Sequence, residues 1–114
     1  MHRSREIRAL LEKTEIEIKQ YLDQLHSNST IKILDFDYLK NKYNHVLNDN
    51  IIFDERFKDK LLTCRELIHS IQLLVENLPK EDIETRENIL EIVKRTPLKM
   101  FLARKKEILI QLDR

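Results

Sequence analysis

Glycine is absent from this chain of 114 residues. Phosphate-binding loops of the G-x-G-x-x-G and G-x-x-x-x-G-K-[ST] types need glycine, because their backbone approaches the ligand with dihedral angles that other residues avoid. The G-x-S-x-G nucleophile elbow is excluded for the same reason. Tight two-residue hairpins are disfavoured, since their turns depend on glycine or asparagine at positive φ. The composition therefore argues against these three kinds of structure.

The chain has a single cysteine, and it lacks metal-ligand pairs and long apolar runs. Cys64 is the one cysteine, so the chain forms neither an internal disulfide nor a cysteine-based zinc site. The four histidines, at positions 2, 26, 45 and 69, lack the spacing of a helical ligand pair. No apolar run approaches the ~20 residues of a membrane span. We therefore expect no metal, no cofactor and no membrane span, and the absence of a disulfide framework and of a signal peptide favours a cytoplasmic protein.

What the sequence contains is typical of a small helical protein. Hydrophobic residues make up 41% of the chain and charged residues 36%. This length predicts one domain over residues 1–114, and the surplus of charge suits helices with solvated outer faces. The formal net charge is +1, so binding to a polyanion would need a local patch rather than bulk charge.

The strongest pattern lies between Asp54 and Leu78. Leu67 and Leu74 widen it beyond a two-stranded seam, so we expect a long central helix, about 54–78, that is covered by more than one neighbour. Its apolar residues follow an unbroken 4-3 spacing, which is the spacing of one helical face: Phe57, Leu61, Cys64, Ile68, Ile71, Val75 and Leu78.

Four further segments have helical spacing. The first helix is predicted from about Ser4 to Leu25, and residues 26–30 form a polar loop. Asp35 is a predicted N-cap for a second helix that ends near residues 48–50, and residues 51–53 form an apolar link to the central helix.

Two prolines divide the end of the chain in this prediction. A fourth helix follows Pro79 and buries a face that includes Ile83, Leu90 and Val93. Thr96-Pro97 is a cap-and-start signal for a fifth helix that runs to about Leu112. The predicted fold is therefore an all-α bundle of four to five helices around the central helix.

A basic run in the last helix is the clearest local asymmetry. Between residues 94 and 106 its cations meet no acidic residue, and Met100 and Ile110 are apolar residues that lie off the core face. The simplest interpretation is a solvated outer face; the functional one is a contact surface for an acidic protein or a nucleic-acid backbone. The candidate partner-binding residues are Lys94, Arg95, Lys99, Met100, Arg104, Lys105, Lys106 and Ile110.

The leading functional hypothesis is a small non-catalytic module for protein–protein interaction or regulation, of the adaptor or inhibitor type. Its partner would be another protein, including a second copy of itself as a homo-oligomer. The alternative is a nucleic-acid-binding protein that uses the surface of residues 94–106. An enzyme ranks third, since no motif marks an activated nucleophile or an oxyanion hole.

The central stripe leads to a stability prediction at Ile68. The Ile68→Ala variant should lower the free energy of unfolding by about 2–5 kcal/mol, because a buried cavity replaces part of the side chain. Thermal or urea unfolding of the two proteins measures the difference. A midpoint that is unchanged within error would remove Ile68 from the core.

Overall fold

The computed structural model describes residues 2–27, 32–49 and 54–113, and the all-α prediction is confirmed over them. These residues contain helices and short connections but no strand. The predicted polar loop falls largely, and the link at 51–53 entirely, outside the described residues. The elements are α1 (His2–Ser27), α2 (Phe36–Leu47), α3 (Glu55–Glu76), α4 (Ile83–Val93), a π turn (Lys94–Leu98) and α5 (Lys99–Leu112).

Aspartate side chains cap the N-termini of three of these helices. The carboxylates of Asp35, Asp54 and Asp82 each accept a hydrogen bond from the backbone N–H three residues later, at 3.0, 2.9 and 3.1 Å. Each bond satisfies one of the N–H groups that a helix leaves unpaired at its start. The cap at Asp35 and the helix start at Asp54 were predicted, whereas the cap at Asp82 was not.

The cap at Asp82 corrects the predicted start of the fourth helix. Pro79 lies in the connection before α4 and not in its first turn, and Ile83 is the first helical residue. Ile83 is 71% exposed, so its assignment to the core face was wrong. Leu90 and Val93 are fully buried, as predicted. Ile83 opens α4, and the buried residues of this helix, Leu90 and Val93, lie in its later turns.

The helices form an antiparallel four-helix bundle in which α4, the π turn and α5 act as one element, the last helix (residues 83–112). α1 runs antiparallel to it along its whole length: Arg8 pairs with Asp113 at one end, and Arg86 donates to the carbonyl oxygen of Leu25 at 2.8 Å at the other. α3 packs against α2 and the last helix, and α1 packs against the same two elements. α1 and α3 therefore stand at opposite corners of a bundle 48 Å long.

The predicted stripe of α3 forms one wall of the core. Its residues from Phe57 to Val75 are at most 6% exposed, and Leu67 is 9% exposed, so the wide apolar face is confirmed. Leu74 and Leu78 are partly buried and pack at its edge. Cys64 is fully buried, and burial raises the pKa of its thiol to about 12. It acts there as a small apolar side chain rather than as a reactive thiol.

The expected break at Thr96-Pro97 is replaced by the π turn. Proline has no N–H to donate, and in an α-helix its ring would collide with the carbonyl of the residue four positions earlier. A π turn widens the helix locally, since its bonds run to the fifth residue rather than the fourth. The helix therefore passes Pro97 without ending, and both Pro97 and Leu98 are buried. By this count the described residues form four helices rather than five separate ones.

One buried polar pair joins α1 to α2. The Thr14 hydroxyl donates to the Leu10 carbonyl oxygen at 2.7 Å and lies 2.8 Å from the Tyr43 hydroxyl. Because the single Thr14 proton is used on Leu10, Tyr43 is the donor of the second bond. Both residues are fully buried, and burial raises the pKa of Tyr43 above its ordinary range. The pair therefore links the two helices through a buried hydrogen bond.

This pair gives a test of the α1–α2 contact. The Thr14→Val variant leaves the Tyr43 hydroxyl buried without its acceptor and should cost about 1–3 kcal/mol. The Tyr43→Phe variant should cost less, about 0.5–1.5 kcal/mol, because Thr14 keeps its bond to Leu10. Urea unfolding of both variants and of the double variant measures the coupling. Strictly additive losses would show that the hydroxyl pair does not link the helices.

Candidate partner-binding surface

The eight candidate residues all lie on the last helix, but they do not share one face. Arg95, Lys99, Met100, Lys106 and Ile110 are exposed. The other three, Lys94, Arg104 and Lys105, are partly buried. The structure therefore divides the basic run into groups with different surroundings.

Lys105 points toward α1 and is held by an ion pair. Its Nζ lies 2.6 Å from Oε1 of Glu15, and its side chain is only 15% exposed. Lys19 reaches the other oxygen of the same carboxylate at 2.8 Å. The bond from Lys105, followed by that from Lys19, holds the pKa of Glu15 below its ordinary value. Lys105 thus joins α1 to α5, and this ion pair explains how a charged side chain is largely buried on the last helix.

Two arginines of the run are paired with acids just outside it. Arg95 lies 3.4 Å from Glu91, one turn earlier, and Arg104 lies 3.3 Å from Glu107. Both are i,i+3 or i,i+4 contacts on the helix surface, where each pair contributes roughly 0–1 kcal/mol. They nevertheless lower the local positive charge. Within the described ranges, the cations of the run that form no ion pair are Lys94, Lys99 and Lys106.

The outward side of the last helix forms a continuous polar and apolar strip, which we call the outer stripe. Its apolar members Ile92, Met100 and Ile110 are 52%, 49% and 49% exposed. Ile92 was missed, because its spacing placed it beside the predicted core face of the fourth helix. The stripe consists of the exposed residues Glu84, Asn88, Glu91, Ile92, Arg95, Thr96, Lys99, Met100, Ala103, Lys106 and Ile110.

Charge changes sign along the outer stripe. The half in α4 carries Glu84 and Glu91, and the half from Arg95 onward carries Lys99 and Lys106. Asn88 and Ala103 contribute small, uncharged side chains between them. The stripe faces away from α1 and α3, so the bundle itself does not cover it. It combines exposed apolar groups with charges of both signs.

A second polar surface lies in the groove between α2 and α3. Arg65 donates to the side-chain oxygen of Asn44, and its other amine lies 2.8 Å from Glu66. Lys40 Nζ lies 3.0 Å from Nδ1 of His69 and 3.5 Å from Asp37. The cations of this groove, Lys40 and Arg65, lie beside the carboxylates of Asp37 and Glu66. The groove therefore has no excess charge to attract an anion. Among the described residues, no group of histidine, cysteine and acidic side chains has the arrangement of a metal site.

The Lys105–Glu15 ion pair predicts a pH dependence of stability. A carboxyl whose pKa is lower in the folded state stabilises the fold above its ordinary pKa, and that contribution is lost as the pH falls through the folded value. The Lys105→Met variant should therefore lose about 1 kcal/mol at pH 7, and this loss should shrink as the pH falls and the Glu15 carboxylate takes up a proton.

Urea unfolding at pH 7, 5, 4 and 3 measures this difference. Lys106→Met is the matched control, since it removes a neighbouring lysine that forms no ion pair among the described residues. Equal losses at every pH, or the same profile for the two variants, would contradict the proposed contribution of the Glu15 carboxylate.

The described helices include none that is long and apolar enough to cross a membrane. In comparisons with known proteins, no family model, curated protein or solved structure matches this chain.

Proposed function

We propose that this chain is a small, non-catalytic regulatory module of the adaptor or inhibitor type, which acts in the cytoplasm by binding a protein partner along the outer stripe. The observation that carries the proposal is the exposure of Ile92, Met100 and Ile110 on the outward side of one helix. Covering half-exposed side chains of this size would add about 1 kcal/mol each to binding.

The charges of the stripe support a protein rather than a nucleic acid. Lys99 and Lys106 would attract phosphates, but Glu84 and Glu91 on the same side would repel them. Three of the six cations in the basic run already pair with Glu15, Glu91 and Glu107. A phosphate backbone is recognised by an excess of positive charge. A protein surface with apolar groups between charges of both signs fits the stripe better.

A cytoplasmic setting is supported by Cys64. It is a free thiol and lies fully buried in the core. A fold that needs no disulfide suits a reducing compartment. The regulatory role itself is inferred from the combination of small size, an apolar contact surface and the absence of a catalytic motif in the sequence.

Site-specific photocrosslinking tests the proposal in cells that naturally express the protein. A photoreactive amino acid replaces Ala103 in the stripe, and the control replaces Ile16, which is 55% exposed on the outer face of α1. We expect covalent protein adducts at position 103 and none at position 16. The added substitution Met100→Asp should reduce the adducts at least fivefold, because it places a charge in the contact.

No protein adduct at position 103, or equal labelling at both positions, would contradict the proposal. Adducts that disappear on nuclease treatment would instead support the nucleic-acid alternative. Circular dichroism of each variant checks that the bundle remains folded.

A further inference from the structure

We infer that the partner of the outer stripe is a second copy of this chain, which lies antiparallel to the first along the last helix. This inference rests on the proposed function and names the partner for the same surface. The proposed dimer has a two-fold axis that crosses the last helix near Arg95 and Thr96.

The charged residues of the stripe are placed symmetrically about that point. Glu84 and Lys106 each lie eleven positions from residue 95, on opposite sides. Glu91 and Lys99 each lie four positions from it. In two antiparallel helices related by a two-fold axis at this point, Glu84 faces Lys106 of the second copy and Glu91 faces Lys99. Each dimer therefore contains four contacts between opposite charges.

Four of the uncharged residues follow nearly the same symmetry. Ile92 and Met100 each lie four positions from Thr96, one residue or about 1.5 Å along the helix from the centre of the charges. The same antiparallel arrangement brings Ile92 of one copy against Met100 of the other. Asn88 and Ala103 are related by a centre between residues 95 and 96, and their small side chains allow the helices to approach closely.

The centre of the contact is also compatible with two copies. Arg95 of each chain lies near the axis, where two guanidinium groups would repel each other. Each one is already paired with its own Glu91 at 3.4 Å, which reduces this repulsion, and the same carboxylate faces Lys99 of the second copy. Thr96 is exposed beside it and is small enough to lie between the helices.

The size of the surface predicts a weak dimer. Thirty helical residues extend about 45 Å, which matches the 48 Å length of the bundle. A strip of this length and about 12 Å wide buries about 500 Å² on each copy, or roughly 1,000 Å² in total, the lower limit for a specific interface. A parallel arrangement would instead place acids against acids and lysines against lysines. Self-association should therefore be antiparallel and sensitive to salt.

Charge exchange tests this arrangement on the full chain. One variant carries Lys99→Glu and Lys106→Glu, and the other carries Glu84→Lys and Glu91→Lys. Sedimentation velocity at low salt should show that the unchanged chain dimerises, and that each variant alone does so at least tenfold more weakly. An equimolar mixture of the two should form a heterodimer, because every reversed acid then meets a lysine.

A control separates this pairing from attraction between net charges. Lys32→Glu with Lys42→Glu changes the charge by the same amount, but at positions outside the outer stripe. Its mixture with the Glu84→Lys, Glu91→Lys variant should form a heterodimer much more weakly, because two of the four contacts then place lysine against lysine. Circular dichroism confirms that each variant is folded before mixing.

The inference is overturned if the unchanged chain remains monomeric, if folded single variants dimerise as it does, or if their mixture does not associate. Photocrosslinking at position 103 shows whether such a result rejects only the second copy as the partner or also the proposed function. An adduct with a different protein would retain the function and reject the second copy, whereas an adduct of twice the mass of the chain would support both.

Discussion

The apolar face of α3 is the constraint on which the rest of the structure depends. Its residues from Phe57 to Val75 are almost completely buried, and such a wide face is not covered by one neighbouring helix. α2 covers it on one side and the last helix on the other. α1 then closes the core from the opposite corner, where Thr14 and Tyr43 satisfy each other's buried hydroxyls. Removing water from this face drives the assembly, and the buried polar pair helps to orient it.

The last helix serves two purposes because it has two different sides. Its inner side supplies Leu90, Val93 and Phe101 to the core and uses Lys105 to bind Glu15 of α1. Its outer side carries residues that the bundle does not cover. The π turn at Pro97 connects two segments that would otherwise be separate helices, so the outer stripe extends over nearly the whole molecule. A local proline constraint thus determines the length of the surface that is available for a partner.

Much of this arrangement was predicted from the sequence, from the spacing of its apolar residues and from aspartates at helix starts. The 4-3 pattern of α3 identified its buried face, and the aspartates at 35 and 54 identified two helix starts, since both signals are local. Met100 and Ile110 were recognised as residues off the core face for the same reason. Ile92 was missed because several apolar residues stand close together in α4, and periodicity alone does not say which of them face outward.

The sequence by itself therefore determined the all-α class, the central helix and its core face, because these follow from local propensity and from the period of apolar residues. The tertiary structure decided which cations of the basic run form no ion pair among the described residues. Lys105 lies next to Glu15 only because α1 and α5 are antiparallel neighbours, and no spacing along the chain reveals a contact between residues so far apart. It also decided the path through Pro97, where packing of Pro97 and Leu98 in the core favours a widened turn over a break.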